Sequence, residues 1–278
     1  MTKRENGKDG NDRAVSEAIG FIIVFGIIIA GIGLVTLYAY PMLVQQQSSS
    51  NEQIMEKNMI VLQNDLKSLA YKTVPYSETA LNIGGGTLTA YNMSSSTSNA
   101  HFSIFDSQTP PIIADSANPL TFYPGSLQYE STSAQTQLSL ENGAVIKRMT
   151  AENGSTMLAE PRWYYDSQTN TAVIYLIGFN TTTGDIMGQS GVGTVRMALV
   201  QTNYTLYNLP ANDPVYVTYT PDSSTDYSAA WDNYFTGTQR MQPTGVTGQY
   251  ILPTVSPPED VQPARVVIYT YDIVIESV

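Results

Sequence analysis

The most constraining feature of the sequence is an uninterrupted apolar segment close to its N-terminus. From Ala18 to Val44 no residue is charged, and most are Ile, Val, Leu, Phe, Ala or Gly. A helix needs about 20 apolar residues to cross the hydrocarbon core of a bilayer, and this segment is longer. Helices on soluble proteins usually have one polar face, which is absent here. The segment therefore predicts a transmembrane helix, with the lipid bilayer as its partner.

The flanking residues set the expected orientation of this helix. The positively charged residues before it are Lys3, Arg4, Lys8 and Arg13. Short basic tails stay in the cytoplasm, and aromatic residues such as Tyr38 and Tyr40 favour the opposite membrane interface. A cleaved secretory signal has a shorter apolar region and a small-x-small cleavage site, which does not follow here. We expect a single-pass cell-membrane protein with a cytoplasmic N-terminus and an extracellular C-terminal domain.

A short motif precedes the apolar segment. The sequence from Arg13 to Phe21 reads RAVSEAIGF, and it resembles the class III signal of archaeal type IV pilin-like proteins. The resemblance implies a prepilin peptidase as a partner, with Arg13 and Ala14 marking the processing site. The cut would fall between Ala14 and Val15 and leave the apolar helix intact.

Glu17 and the small residues of the helix suggest roles in anchoring or assembly. Glu17 can lie at the cytoplasmic headgroups, in the first turn of the helix, where the macrodipole favours an anion. In bacterial type IV pilins a glutamate near the mature N-terminus pairs with the terminal amine of a neighbouring subunit, so the resemblance implies this role as an alternative. Gly26 and Ala30 have the small-xxx-small spacing that lets two membrane helices approach closely. Other pilin-like subunits are thus possible partners through this helix.

A second helical pattern follows the apolar segment. Residues 45–50, QQQSSS, predict a short polar joint. Apolar residues then recur every three or four positions up to Leu69, which predicts an amphipathic helix that ends before Pro75. This helix can dock on its own domain, or it can form a stalk that packs between subunits.

The sequence after Pro75 predicts β-structure. Short segments rich in β-branched and aromatic residues alternate with polar turn clusters, as in sandwiches of antiparallel sheets. Two strands are expected in Thr79–Tyr91, around a turn at Gly84–Gly86, and a short helix is expected at Ser223–Phe235. Further strands are expected at His101–Phe105, Leu120–Tyr123, Gln135–Leu140, Ala144–Arg148, Arg162–Tyr165, Ala172–Phe179, Gly193–Tyr207, Val215–Thr220 and Arg265–Ile275, and the segment from Trp163 to Phe179 is expected to form a hairpin. The fold class is α+β, with an N-terminal transmembrane and stalk helix before a mainly antiparallel, sandwich-like extracellular domain. The expected divisions are a cytoplasmic leader at 1–14, a transmembrane helix at 15–44, an amphipathic stalk helix at 45–74 and the β-rich domain at 75–278.

Composition argues against most catalytic chemistry. The chain has no cysteine and one histidine, His101, so thiol chemistry and zinc sites of cysteine and histidine are not expected. No phosphate-binding or dinucleotide-binding motif is present. The formal net charge of −11 disfavours nucleic acid as a partner. We therefore expect no catalytic residues, no metal site, no cofactor and no enzymatic activity.

The polar surface suggests glycosylation and leaves the role of the tyrosines open. Four Asn-x-Ser/Thr sequons follow the apolar segment, and an exposed one can carry a glycan. The chain has 19 tyrosines; they can form cross-strand pairs that stabilise sheets, or an aromatic ligand-binding or adhesive face. The sequon asparagines are Asn92, Asn153, Asn180 and Asn203.

The layout as a whole is similar to an uncharacterised family of euryarchaeal pilin-like membrane proteins. The similarity lies in the RAVSE start, the single span, the helix followed by ETALNIGGGTL, and the segment WYYDSQTNTAVIYLIGF. It implies a pilin-like surface subunit or accessory pilin that is assembled into or onto a type IV pilus-like filament and contributes to adhesion. The alternative is a monomeric membrane-anchored binding domain that does not polymerise. An enzyme with an extracellular active site is the third hypothesis.

Overall fold

The protein consists of two compact units, Met1–Ser50 and Asn51–Val278. The first contains the apolar helix, and the second contains a helical segment followed by the strands. The computed structural model describes residues 9–72, 74–93, 100–131, 136–150, 154–184, 186–210, 213–252 and 262–278, with side chains from Ala18 onward.

The N-terminal helix runs in three consecutive pieces. Helix α1 covers Asp9–Leu34, a π-helical turn covers Val35–Ala39, and helix α2 covers Tyr40–Tyr71. The apolar side chains before Val44 are exposed, with fractions from 53% upwards over most of the segment. Among the described residues, this is the one helix that is long and apolar enough to cross a membrane.

The π-helical turn has a local cause. Pro41 has no N–H to donate to the carbonyl one turn earlier, so a regular α-helix would leave a carbonyl unpaired there. The Tyr40 N–H donates to the Val35 carbonyl, five residues back, which widens the helix just before the proline. The helix therefore continues past Pro41.

The predicted polar joint at residues 45–50 is wrong. Helix α2 passes through QQQSSS without a break. Glutamine is a good helix former and serine a tolerable one, and no Gly or Pro interrupts the segment. Polarity alone therefore did not end the helix.

The second unit is built on two β-sheets, in agreement with the predicted α+β class. Among the described residues, one sheet has nine strands in the order β7-β6-β5-β4-β1-β10-β14-β9-β8, and the other has five in the order β12-β13-β11-β2-β3. All pairs are antiparallel except β14 with β9. The strands are β1 Tyr76–Tyr91, β2 His101–Asp106, β3 Leu120–Phe122, β4 Ser126–Ser131, β5 Thr136–Glu141, β6 Ala144–Met149, β7 Ser155–Ala159, β8 Tyr164–Asp166, β9 Thr171–Thr181, β10 Met187–Asn208, β11 Val215–Thr220, β12 Gln242–Pro243, β13 Gln249–Ile251 and β14 Arg265–Ser277.

The helical segment 51–71 packs on one face of the nine-stranded sheet. Its apolar stripe is completely buried, which favours docking on its own domain over a stalk between subunits. Gln63 Nε2 donates to the carbonyls of Gly143 and Glu160 at 2.7 and 2.9 Å, and Thr79 on β1 bonds to Asp65. The segment is therefore part of the core of the second unit. The stripe consists of Met55, Met59, Leu62, Leu66 and Leu69.

The five-stranded sheet and a short helix cover the opposite face. Helix α3, Ser228–Asn233, continues into a π-helical turn at Tyr234–Thr238, close to the predicted helix. Trp231 packs edge-on against Phe102 of β2, with ring centroids 4.8 Å apart. Aromatic side chains thus fill the space between the sheets and carry much of the core.

The predicted turn at Gly84–Gly86 is also wrong. Strand β1 runs through the glycines, and only its register with β10 shifts, between Ile83 and Thr87. Gly85 has φ +69°, which suits glycine. A Cβ on Gly86 would lie 2.4 Å from the Glu130 carbonyl oxygen. The glycines form a bulge that lets β4 approach closely.

Candidate functional site

The predicted processing residues lie at the start of α1. Arg13, Ala14, Val15 and Glu17 are helical, and their side chains lie outside the described part of the chain. The pairing of Glu17 thus stays a prediction.

Gly26 and Ala30 are on the exposed helix. A Cβ on Gly26 would meet nothing within 4 Å, and Ala30 is exposed. This face has room for a second helix, which is what the small-xxx-small prediction requires.

The sequons differ in accessibility. Asn92 is 6% exposed, and its amide donates to the Gly184 carbonyl while accepting from the Thr181 N–H. Its side chain is thus committed to a structural role, which disfavours a glycan there. Asn180 is half-buried on β9, Asn203 is exposed on β10, and Asn153 lies outside the described residues. Asn203 is the most accessible of the three described asparagines.

A cleft of about 860 Å³ opens at the C-terminal end of the segment 51–71. Lys67 and Lys72 enter it from the helix, and Arg162 enters it from the segment before β8. Glu160 is the one acidic residue in its lining, and its carboxylate accepts a hydrogen bond from Thr238 at 2.6 Å. The cleft is therefore basic, on a chain whose net charge is −11. Its lining is completed by Asn64, Ser68, Tyr71, Pro161 and Trp163.

The cations of this cleft lack close anionic partners. In the part of the chain that the structure describes, no carboxylate lies within 4.0 Å of Lys67, Lys72 or Arg162. Burial lowers the pKa of Lys67, and the nearby Arg162 guanidinium lowers it further. The Glu160 carboxylate, in the same lining, acts in the opposite direction and raises the pKa of Lys67. Three cations and one carboxylate therefore line the cleft, and its charge is only partly balanced by the protein.

Arg162 connects the cleft to a row of tyrosines. Its guanidinium lies over the Tyr71 ring, 4.8 Å from the centroid, and 5.8 Å from that of Tyr175. Tyr175 stacks on Tyr269 at 5.0 Å, and Tyr269 contacts Tyr204 at 5.8 Å. These strand positions form cross-strand pairs, as one of the two predictions for the tyrosines expected. The row starts buried at Tyr175 and ends at Tyr204, which is 70% exposed.

At the N-terminal end of the helical segment 51–71, the basic residue is paired with carboxylates. Lys147 on β6 lies between Glu52 and Glu56, with its Nζ 2.8 Å from Glu56 Oε1 and also hydrogen bonded to Glu52. One cation is thus shared by two carboxylates on successive turns of the helix.

A carboxylate is also buried on the opposite face of the sheet. Glu141 is 2% exposed, and it accepts hydrogen bonds from Trp231 Nε1 and Tyr219 Oη, both at 3.1 Å. Burial raises the pKa of Glu141 to about 7, against the opposing effect of these two hydrogen bonds. No cation in the described residues forms an ion pair with it.

His101 lies on β2, with its ring 5.1 Å from that of Tyr123. Within the described residues, three or more potential metal ligands do not come together at any point. The prediction that His101 has no catalytic role is not tested by this position.

Sequence reasoning missed the basic cleft, although Lys67 and Tyr71 are one helical turn apart and Arg162 precedes a tyrosine pair. These residues are visible in the sequence, but only the folded structure shows that residues 67 and 162 line the same cleft.

The fold defines an α+β protein with a long apolar N-terminal helix and a two-sheet domain. The sequence profile of a family of unknown function (DUF7289) matches residues 13–276, and the chain belongs to this family. No curated protein and no solved structure matches it. The family match starts at Arg13 and includes the apolar helix as well as the sheets.

Proposed function

We propose that this protein is a pilin-like subunit or accessory pilin of an archaeal cell surface. Its N-terminal helix anchors it in the membrane or in a filament, and the two-sheet domain is displayed outside the cell. The observation that carries the proposal is the helix itself. It continues from an exposed, uncharged segment at Ala18–Val44 into a segment whose apolar stripe is buried in the β-rich domain.

A continuous helix of this kind supports both anchoring and assembly. Exposed apolar side chains are stable in lipid, or against the same segment of other subunits, but not in water. The small face at Gly26 and Ala30 suits close contact between helices. The RAVSE motif, directly before the helix, supports processing by a prepilin peptidase.

Processing is the first test of the proposal. We expect the protein from native archaeal membranes to begin at Val15, as read by mass spectrometry and N-terminal sequencing. An Ala14→Asp variant should keep its leader, while a Gly10→Asp variant should be processed as the unaltered protein is. An intact leader on the native protein would contradict the pilin proposal.

Assembly is the second test. A processed subunit should appear in filaments sheared from cells, and Gly26→Leu should remove it from that fraction, because the larger side chain separates the helices. If the processed protein stays wholly in the membrane fraction, the alternative of a monomeric anchored domain is correct.

A further inference from the structure

We propose that the cleft lined by Lys67, Lys72 and Arg162 binds a short acidic saccharide, a sugar ring or small oligosaccharide that carries a carboxylate. The site is on the β-rich domain, and its use does not depend on whether the protein polymerises. The cleft volume of about 860 Å³ lies within the usual range for small-molecule sites.

The charge of the site points to an anion. Three cations converge there without a carboxylate within 4.0 Å in the described residues. The planar Arg162 guanidinium can bind a carboxylate through two parallel hydrogen bonds. A bound anion would also relieve the repulsion between Arg162 and Lys67. The ligand is thus expected to supply negative charge beyond that of Glu160, which alone does not balance the three cations of the cleft.

The surroundings of the cations point to a sugar rather than a bare anion. Asn64 and Ser68 line the cleft and offer uncharged polar groups for ring hydroxyls. Tyr71 also lines the cleft and adds a phenol hydroxyl and aromatic surface. A saccharide carries hydroxyls, apolar ring faces and, when acidic, a carboxylate, so it has a partner for each group.

The net charge of the chain limits the size of the ligand. At −11 the protein as a whole repels long polyanions such as nucleic acids, although the cleft attracts anions locally. A ligand that fits within the cleft gains the local attraction and avoids most of the repulsion. A short acidic saccharide therefore fits better than a polymer.

The test is a calorimetric titration of the full-length protein in detergent micelles with trigalacturonate. The matched control ligand is its methyl ester, which has the same rings without the charge. We expect the acid to bind and the ester to bind at least about tenfold more weakly, a difference of about 1.4 kcal/mol. Equal binding of acid and ester, or no heat with the acid, would overturn the proposal.

Variants locate the binding. Arg162→Gln and Lys67→Gln should each raise the Kd about tenfold or more. Lys57→Gln removes the same charge from an exposed position of the same helix and should leave the Kd within about twofold. If Lys57→Gln weakens binding as much as Arg162→Gln, the binding is general charge attraction and the site is wrong.

Inorganic phosphate separates a saccharide site from a plain anion site. We expect it to compete only at concentrations far above those of trigalacturonate, because it lacks the ring surface and the widely spaced hydroxyls that a saccharide presents to Asn64, Ser68 and Tyr71. Phosphate that binds as tightly as trigalacturonate would overturn the saccharide assignment.

Discussion

The two ends of the helical segment 51–71 differ in whether their basic side chains form ion pairs. At the first end Lys147 is bonded to Glu52 and Glu56, and at the other end Lys67 and Arg162 face each other without a carboxylate within 4.0 Å among the described residues. Glu160, the one acidic residue in the cleft lining, accepts a hydrogen bond from Thr238 and does not form an ion pair with Lys67 or Arg162. We therefore expect the first end to contribute to stability, while the second is the end at which we propose ligand binding.

The largest expected effect comes from the middle of the segment, which holds both ends in place. Leu66 is completely buried, and Leu66→Ala should lower the free energy of unfolding by about 2–5 kcal/mol. Ile54→Ala, on an exposed position of the segment, should change it by less than about 0.5 kcal/mol. Urea unfolding followed by the fluorescence of the two tryptophans measures both. Equal effects would mean that the stripe is not part of the core.

The buried Glu141 extends the comparison to a carboxyl group that forms no ion pair with any described residue. Its pKa is about 7 in the folded protein against the ordinary 4.5, so the folded state holds the proton more tightly. The free energy of unfolding should therefore fall as the pH rises from about 4.5 to about 7, and stay level above that. Glu141→Gln should remove this dependence and be more stable at pH 8 by up to about 3 kcal/mol.

The measurement for Glu141 is urea unfolding at pH 5 and pH 8, followed by circular dichroism. A variant that loses stability equally at both pH values would show that the carboxylate is ionised and well stabilised in the fold. Gln keeps an oxygen that can accept from Trp231 and Tyr219, so the comparison isolates the charge.

At the end where Lys147 is bonded to Glu52 and Glu56, the expected loss in the free energy of unfolding is smaller. Lys147→Met should cost about 1 kcal/mol, because it leaves two carboxylates on successive turns, partly screened by solvent. The side chain of Lys147 is 26% exposed. A double-mutant cycle with Glu52→Gln measures the coupling free energy, which should fall as salt is added. A coupling indistinguishable from zero would remove the contrast between the two ends.

At the end that carries Lys67 and Arg162, a charge-removing substitution should have the opposite effect on the free energy of unfolding. Lys67→Gln should leave the free energy of unfolding unchanged or raise it by about 0.5 kcal/mol, since it removes a repulsion from Arg162. Lys57→Gln again serves as the control, measured by the same urea unfolding. A loss of more than about 1 kcal/mol would indicate that Lys67 has a structural partner and is not held for a ligand.

Periodicity identified the elements whose pattern is local. The apolar stripe up to Leu69, the strand Val215–Thr220 and the β8–β9 hairpin at Tyr164–Thr181 agree with the prediction, because burial on one face imposes a regular spacing. Strand β4 was missed, since Ser126–Ser131 is mostly polar and becomes a strand through its pairing with β1 and β5. Amino-acid composition alone does not predict a strand that forms because of its neighbours in the sheet.

Local rules failed where the backbone conformation depends on neighbours. Three glycines in a row predict a turn, yet β4 and β10 on either side keep β1 extended through Gly84–Gly86. The basic cleft could not be predicted for a related reason. Lys67 and Arg162 are far apart in sequence, and only the docking of the helix on the sheet brings them together.

The position of β14 has a consequence for how the domain is made. It is the last described strand in sequence, yet it lies inside the nine-stranded sheet and alone connects the β9–β8 hairpin to β10. Strands β1 and β4–β7 can pair as they emerge from the ribosome, but β9 lacks its neighbouring strand on the β10 side until residues 265–277 have been synthesised. Before then, β9 can be held by bonds to loop residues such as Asn92 and Asn142. Contacts so distant in sequence form slowly. Until β14 is synthesised, the edges of β10 and β9 are therefore unpaired and must be kept from pairing with other chains.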